Sequence, residues 1–107
     1  MWSGRRLAVL TAFLLPAAAL AEAPGAARQQ ELLHLLRHDC GSCHGLTMKG
    51  GLGPPLVPEA LAGKDDAMLM EAILDGRPGT PMPPWRTQLT PYEAGWLVQA
   101  LRAGQKQ

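Results

Sequence analysis

Apolar residues fall into four clusters along the chain, separated by stretches dominated by glycine, proline and charge. Leu7–Leu15 (LAVLTAFLL) is an unbroken apolar run that ends at Pro16. In Arg28–Asp39 (RQQELLHLLRHD), the leucines at 32, 33, 35 and 36 make a stripe of helical period. A third cluster opens after Asp65 and Asp66, runs through Met68, Leu69, Ile73 and Leu74, and stops at Gly76, as a helix closed by glycine does. The fourth comes after Thr90-Pro91-Tyr92-Glu93, a capping box with proline in the first helical position, and carries Trp96, Leu97, Ala100 and Leu101 as far as Gly104. Between the second and third clusters, Lys49–Pro58 (KGGLGPPLVP) reads as loop. The pattern predicts an all-α domain of three or more short helices, with no repeat, no linker and no room for a second domain.

The first cluster is of a different kind. Arg5 and Arg6 precede it, small residues come after Pro16, and Ala19-Leu20-Ala21 has the Ala-x-Ala form of a signal-peptidase site. A bilayer span needs about 20 apolar residues, so this run is too short for an anchor. Residues 1–21 are expected to be a cleaved signal peptide and 22–107 the mature domain, placed in the periplasm. The residues after Arg6 match the twin-arginine pattern poorly, so general secretion is the expected route. Loss of Arg5 and Arg6 takes the formal charge from +1 to −1. That balance gives no reason to expect nucleic acid or an anionic membrane surface as partner.

A small mature domain whose only aromatics are Trp85, Tyr92 and Trp96 has little with which to build a core. Its distinctive chemistry lies in DCGSCHG, Asp39–Gly45, which holds both cysteines of the chain and, directly after the second, His44. A Cys40–Cys43 disulfide would close a tiny loop, restrict the unfolded chain little and leave His44 without a role. A redox-active dithiol calls for a βαβ setting, and no strand-like alternation precedes Cys40. Structural zinc needs four ligands, and only His34 and His38 remain to complete such a set. Cys-x-x-Cys-His as the attachment signature of haem c uses every residue: two thioether anchors one turn apart and His44 as the proximal iron ligand. Gly41 and Gly45 are expected to keep the backbone slim against the ring. One covalent porphyrin would also supply the apolar centre that the chain lacks.

The candidates for the other axial position are Met48, Met68, Met70, Met82, His34 and His38. Met48 is too close in sequence to His44 to reach the far face easily. Met68 and Met70 sit in a helical run, where methionine commonly fills core, and His34 and His38 read as a solvated stripe. Met82 stands in GTPMPPW, where Pro81, Pro83 and Pro84 exclude helix and preset an extended chain able to hold a thioether in place. A Met/His pair favours ferrous iron and closes it to outside ligands, which points to an electron carrier and not an enzyme. The alternative is a gas-binding or peroxide-binding haem protein, or a haem enzyme, in which Met82 leaves the iron.

The order of helix, Cys-x-x-Cys-His, Gly/Pro loop, helix, proline-flanked methionine and terminal helix resembles class I c-type cytochromes over nearly the whole mature chain. The resemblance implies that the first and last helices cross beside the haem, with Gly95 permitting close approach. It also implies that Pro54 offers its carbonyl to the ring N–H of His44, and that Arg77 and Trp85 bond haem propionates. More narrowly, DCGSCHGLTMKGGLGPPL and ILDGRPGTPMPPW look like the small c55X-type cytochromes associated with cytochrome cd1 nitrite reductase. That resemblance implies a monomeric periplasmic carrier in denitrification, whose partners are the nitrite reductase or the proteins that mature its d1 haem. The haem edge is expected to bear only scattered charge, from Lys49, Arg77 and Arg86, so docking would rest on a weak, partly apolar contact.

Overall fold

A computed structural model describes residues 4, 8–13 and 24–105 of the chain. The cleavage site expected after Ala21 lies outside the described residues. Residues 8–13 carry no regular secondary structure, and no described helix is long and apolar enough to cross a membrane.

Helix α1 spans Ala26–Leu35 and continues without a break through a π-helical turn, Leu36–Cys40, into the short helix α2, Gly41–His44. The leucine stripe explains the packing of this rod: Leu32 and Leu36 are fully buried, while Leu33 and Leu35 lie at the margins of the core. The wider turn falls on the residues leading into the Cys-x-x-Cys-His motif, a position where such insertions often mark functional sites. The loop after α2 contains one further single turn, α3 (Pro58–Leu61), at the end of the stretch whose glycines and prolines predict loop.

Helix α4 (Asp66–Asp75) begins as its sequence predicts, with the Asp65 carboxylate accepting a hydrogen bond from Met68 N at 2.6 Å. Helix α5 (Pro91–Arg102) opens on a complete capping box. Thr90 Oγ1 accepts from Glu93 N at 3.1 Å, and Thr90 N donates to Glu93 Oε1 at 3.0 Å. The two helices that frame the domain are tied by Arg28 of α1, which donates to Glu93 of α5 and, at 3.1 Å, to the carbonyl of Gln88. The core joins Leu32, Leu36, Leu61, Leu74, Leu97 and Leu101. Among the described residues there is no strand.

Three expectations about packing change. Gly95 faces α4 and not α1: a methyl there would meet the Met70 thioether at 3.5 Å, so the close approach it serves is between α4 and α5. Met68 is 44% exposed and fills no core, because Met70, Leu69, Ile73 and Leu74 occupy the inward side of α4. Met48, a ligand candidate by its residue type, is a core residue at 5% exposure, held at a φ of 60° in a tight turn.

Candidate haem site

The loop after α2 folds back on the helix end and satisfies its last carbonyls. Gly50 N donates to His44 O and Gly53 N to Cys43 O, both at 2.8 Å. The fold-back needs particular glycines. Gly45 has φ 91°, and a side chain there would stand 2.7 Å from Gly50 O. At Gly41 the same methyl meets Leu46 at an ordinary 3.5 Å, so Gly45, through loop closure, is the constrained member of that pair. Gly53 lies flat against the imidazole of His44; a side chain would come within 2.8 Å of its Cε1 and Nδ1. The next carbonyl, that of Pro54, stands 2.7 Å from His44 Nδ1. A carbonyl can only accept, so Nδ1 carries a proton, which leaves Nε2 as the ring nitrogen available to a metal.

Facing this loop is a second one, built between α4 and α5. Gly76, in a backbone conformation open to few other residues (φ 68°, ψ −170°), turns the chain out of α4. Arg77 N then donates to Met82 O at 3.3 Å. The Thr80 hydroxyl donates to Arg77 O at 2.7 Å and accepts from Met82 N at 3.3 Å. Past the prolines the chain returns to the end of α4. Trp85 N donates to Ile73 O and Leu74 O at 3.0 and 3.1 Å, and Arg86 N to Leu74 O at 3.1 Å. Met82 thus sits in a strap pinned at both ends.

Between the two loops is a cavity of about 710 Å³. Cys40, Cys43, His44 and Pro54 come to it from the first loop and the helix before it, and Arg77, Met82 and Trp85 from the second. All seven residues singled out from the sequence therefore border one space. Leucines 36, 61, 69, 97 and 101, with Ile73 and Val98, make the rest of the lining largely apolar. None of the competing ligand candidates borders it. Met48 and Met70 pack on the core, and His34 and His38 are exposed and lie against each other in a tilted pair with ring centroids 4.3 Å apart.

The thiols are free. Burial, with smaller contributions from Asp39 and Cys43, pushes the Cys40 thiol up to about 11. That is opposite in direction to the depressed value of a reactive redox thiol. Among the described residues no three of His, Cys, Asp or Glu converge to hold a metal ion, which leaves the zinc reading without a donor set. A haem, in contrast, suits what is present. The volume lies within the ~300–1,000 Å³ of small-molecule and cofactor sites, the walls are apolar, and the donors are two thiols, an imidazole of fixed tautomer and a thioether. The charges expected at the haem edge are revised: Lys49 and Arg86 do not line the cavity, and Arg86 is paired with Asp75 at 2.7 and 2.8 Å. Lys64, which no sequence motif singles out, does line it. A lysine in an Ala-Gly-Lys-Asp-Asp loop carries no local signal of such a position.

This fold and this site define a c-type cytochrome, and residues 27–99 match the family described as cytochrome c oxidase, cbb3-type, subunit III. Cytochrome c55X of Paracoccus denitrificans is 56% identical over 90% of this chain and 92% of its own. The solved structure of the c-type cytochrome NirC, at 57% identity, superposes with a TM-score of 0.75 over 77% of this chain and 96% of that one. Among its fellow c-type cytochromes the chain belongs to the cytochrome c55X family. The dihydro-heme d1 dehydrogenase of Pseudomonas aeruginosa is 36% identical over 96% of this chain, which matches 23% of that protein's length.

Proposed function

We propose that the protein is a soluble, monomeric, periplasmic carrier of single electrons, with one haem c bound through thioethers to Cys40 and Cys43 and its iron held by His44 and Met82. It would serve denitrification, as donor to cytochrome cd1 nitrite reductase or in the maturation of its d1 haem. The observation that carries this reading is the convergence of two thiols, the His44 imidazole and the Met82 thioether on one apolar cavity of about 710 Å³. The periplasmic location rests on the leader pattern of residues 1–21. The nitrite reductase connection rests on the c55X relatives, and the maturation role on the similarity to dihydro-heme d1 dehydrogenase.

The bound haem supplies a one-electron couple, and the polypeptide sets its terms. Pro54 accepts the Nδ1 proton of His44 in a hydrogen bond, which fixes the ring orientation and raises the basicity of Nε2. With Met82 supplying a thioether in addition to the His44 imidazole, a bound haem would favour its ferrous state. The walls are largely apolar, and the doubly pinned strap would hold the Met82 thioether in one place whichever oxidation state the haem took. Arg77 and Trp85 border the same space, which supports their assignment as partners of the haem propionates. A labile-ligand gas or peroxide site would need the strap to swing, and its hydrogen bonds to α4 oppose that.

The test is an optical titration of protein exported from a host that attaches haem. Haem is expected to stay with the chain through denaturation. The weak long-wavelength band of methionine-ligated ferric haem should be present and should vanish in Met82→Ala. Carbon monoxide should leave the reduced wild-type spectrum unchanged. Chain that carries no covalent haem would end this reading, and a carbon monoxide complex of the wild type would move the gas-binding alternative ahead. A deletion strain whose nitrite reductase lacks d1 haem would assign the maturation role over the donor role.

A further inference from the structure

Of the residues around the cavity three are charged: Asp39, Lys64 and Arg77. Asp39 precedes Cys40, so it marks the edge at which the thioethers would form. A haem carries two carboxylates, and a carboxylate taken into a largely apolar setting needs a cation or a set of hydrogen bonds. Next to Asp39 it would meet a like charge, so the carboxylate edge belongs by the lining cations.

Three of the seven described lysines and arginines are otherwise engaged. Arg28, Arg86 and Arg102 each pair with a carboxylate. Among the described residues Lys64 and Arg77 pair with none, and of the unpaired cations these two line the cavity while Arg37 and Lys49 do not. The acids beside Lys64 in sequence are committed elsewhere: Asp65 caps α4, and Asp66 accepts from Arg102 Nε at 2.8 Å and from Gln99 at 2.9 Å.

The backbone of Lys64 is held as well. Its N–H donates to Leu61 O at 3.1 Å, and its carbonyl accepts from Arg102 Nη2. Arg102 Nη1 reaches Leu61 O at 3.0 Å, so one guanidinium at the end of α5 fixes the short turn from which Lys64 projects. Leu61 itself is buried and lines the cavity. A loop held this firmly by the last helix presents an unpaired ammonium at the cavity rim.

We propose that Lys64 pairs with a haem propionate and, together with Arg77, sets the reduction potential by neutralising carboxylate charge that would otherwise stabilise ferric iron. The proposal rests on the haem reading and adds a residue to it.

The test is potentiometric, on the mature, haem-loaded protein at one pH and low ionic strength. Lys64→Gln should shift the midpoint downward, seen as a severalfold fall in the ferrous-to-ferric ratio when poised at the wild-type midpoint. Lys64→Glu should shift it further and Lys64→Arg hardly at all, with the methionine band intact in each. Lys49→Gln, an exposed lysine off the cavity, should leave it unchanged. A midpoint that ignores the charge at position 64, or a Lys64→Arg shift as large as that of Lys64→Gln, would overturn the pairing while the haem reading stands. Wild-type protein without haem would overturn the reading itself, and the proposal with it.

Discussion

Gly76→Ala isolates what holds Met82. The glycine is buried at φ 68°, ψ −170°, a region in which a residue with a side chain carries on the order of 1–3 kcal/mol of strain. The added methyl would also stand 2.6 Å from Met82 O and 2.9 Å from Pro83 C and Pro84 N. Those are backbone atoms of the strap, so relief comes only if the segment that carries the thioether moves. Taking ~2 kcal/mol as the strain released when Met82 leaves the iron, the ratio of ligated to unligated protein falls about 30-fold, at a factor of ten per ~1.4 kcal/mol. The assay is the long-wavelength methionine band of the ferric protein, monitored during titration with an exogenous ligand such as imidazole. The variant should give up its methionine at a correspondingly lower imidazole concentration. Gly79→Ala is the control, because Gly79 also has a positive φ (79°) but no atom within 4 Å of an added methyl. It should lose some stability and keep the ligand. Equal imidazole sensitivity in Gly76→Ala and wild type would refute the reasoning.

Gly53→Ala should push the His44 ring away from the Pro54 carbonyl, since the methyl would lie 2.8 Å from Nδ1; a less basic imidazole stabilises ferric iron less, so the midpoint potential should rise, and an unchanged midpoint would disprove the positioning role. Arg28, and after it the Thr90 N–H, holds the Glu93 carboxyl below its ordinary 4.5. A depressed carboxylate stabilises the fold above its unfolded value and loses that contribution as pH falls through the lower folded value. Thermal unfolding should therefore show Glu93→Gln less stable than wild type at neutral pH, with the gap closing below about pH 4.5, and a gap that persists in stronger acid would contradict it. Thr90→Ala removes one arm of the α5 capping box and should cost ~1 kcal/mol in denaturant titrations with an unchanged slope.

The signals legible along the chain are local ones. A capping box, an aspartate N-cap and a leucine stripe act within a few residues of themselves, so α4 and α5 can be read with their starts and α1 as a helix whose uncapped start at Ala26 precedes the stripe. The Cys-x-x-Cys-His spacing is a chemical signature contained within five residues, and the proline-flanked methionine is nearly as compact. The features that escape such reading are set by tertiary contact. Met48 is set aside as a ligand by its closeness to His44, but only the turn at φ 60° places it in the core. Gly95 reads, through the family resemblance, as the contact between the first and last helices, and only the approach of Met70 assigns it to α4. Lys64 reaches the cavity rim because Arg102, far along the chain, bonds the carbonyls of its turn. The π-helical turn at Leu36–Cys40 leaves no mark in the apolar period that could be told from ordinary helix.

The two loops that carry His44 and Met82 solve one physical problem in the same way. A helix ends with carbonyls that have no intrahelical partner, and each loop folds back to supply donors: Gly50 and Gly53 to the carbonyls of His44 and Cys43, Trp85 and Arg86 to those of Ile73 and Leu74. Each proposed ligand is therefore carried on a loop placed by the capping of a helix, and displacing that loop means giving up those hydrogen bonds. The two ends differ in one respect. His44 is the last residue of its helix and moves with it, whereas Met82 lies within the strap, between Gly76 and the return at Trp85. The methionine side is thus the softer of the two. In native-state hydrogen exchange the amides of Trp85 and Arg86 should open at lower free energy than those of Gly50 and Gly53, and Met82→Ala should widen that difference. Equal protection of the two sets, unaltered by the substitution, would mean that capping and ligation are not coupled.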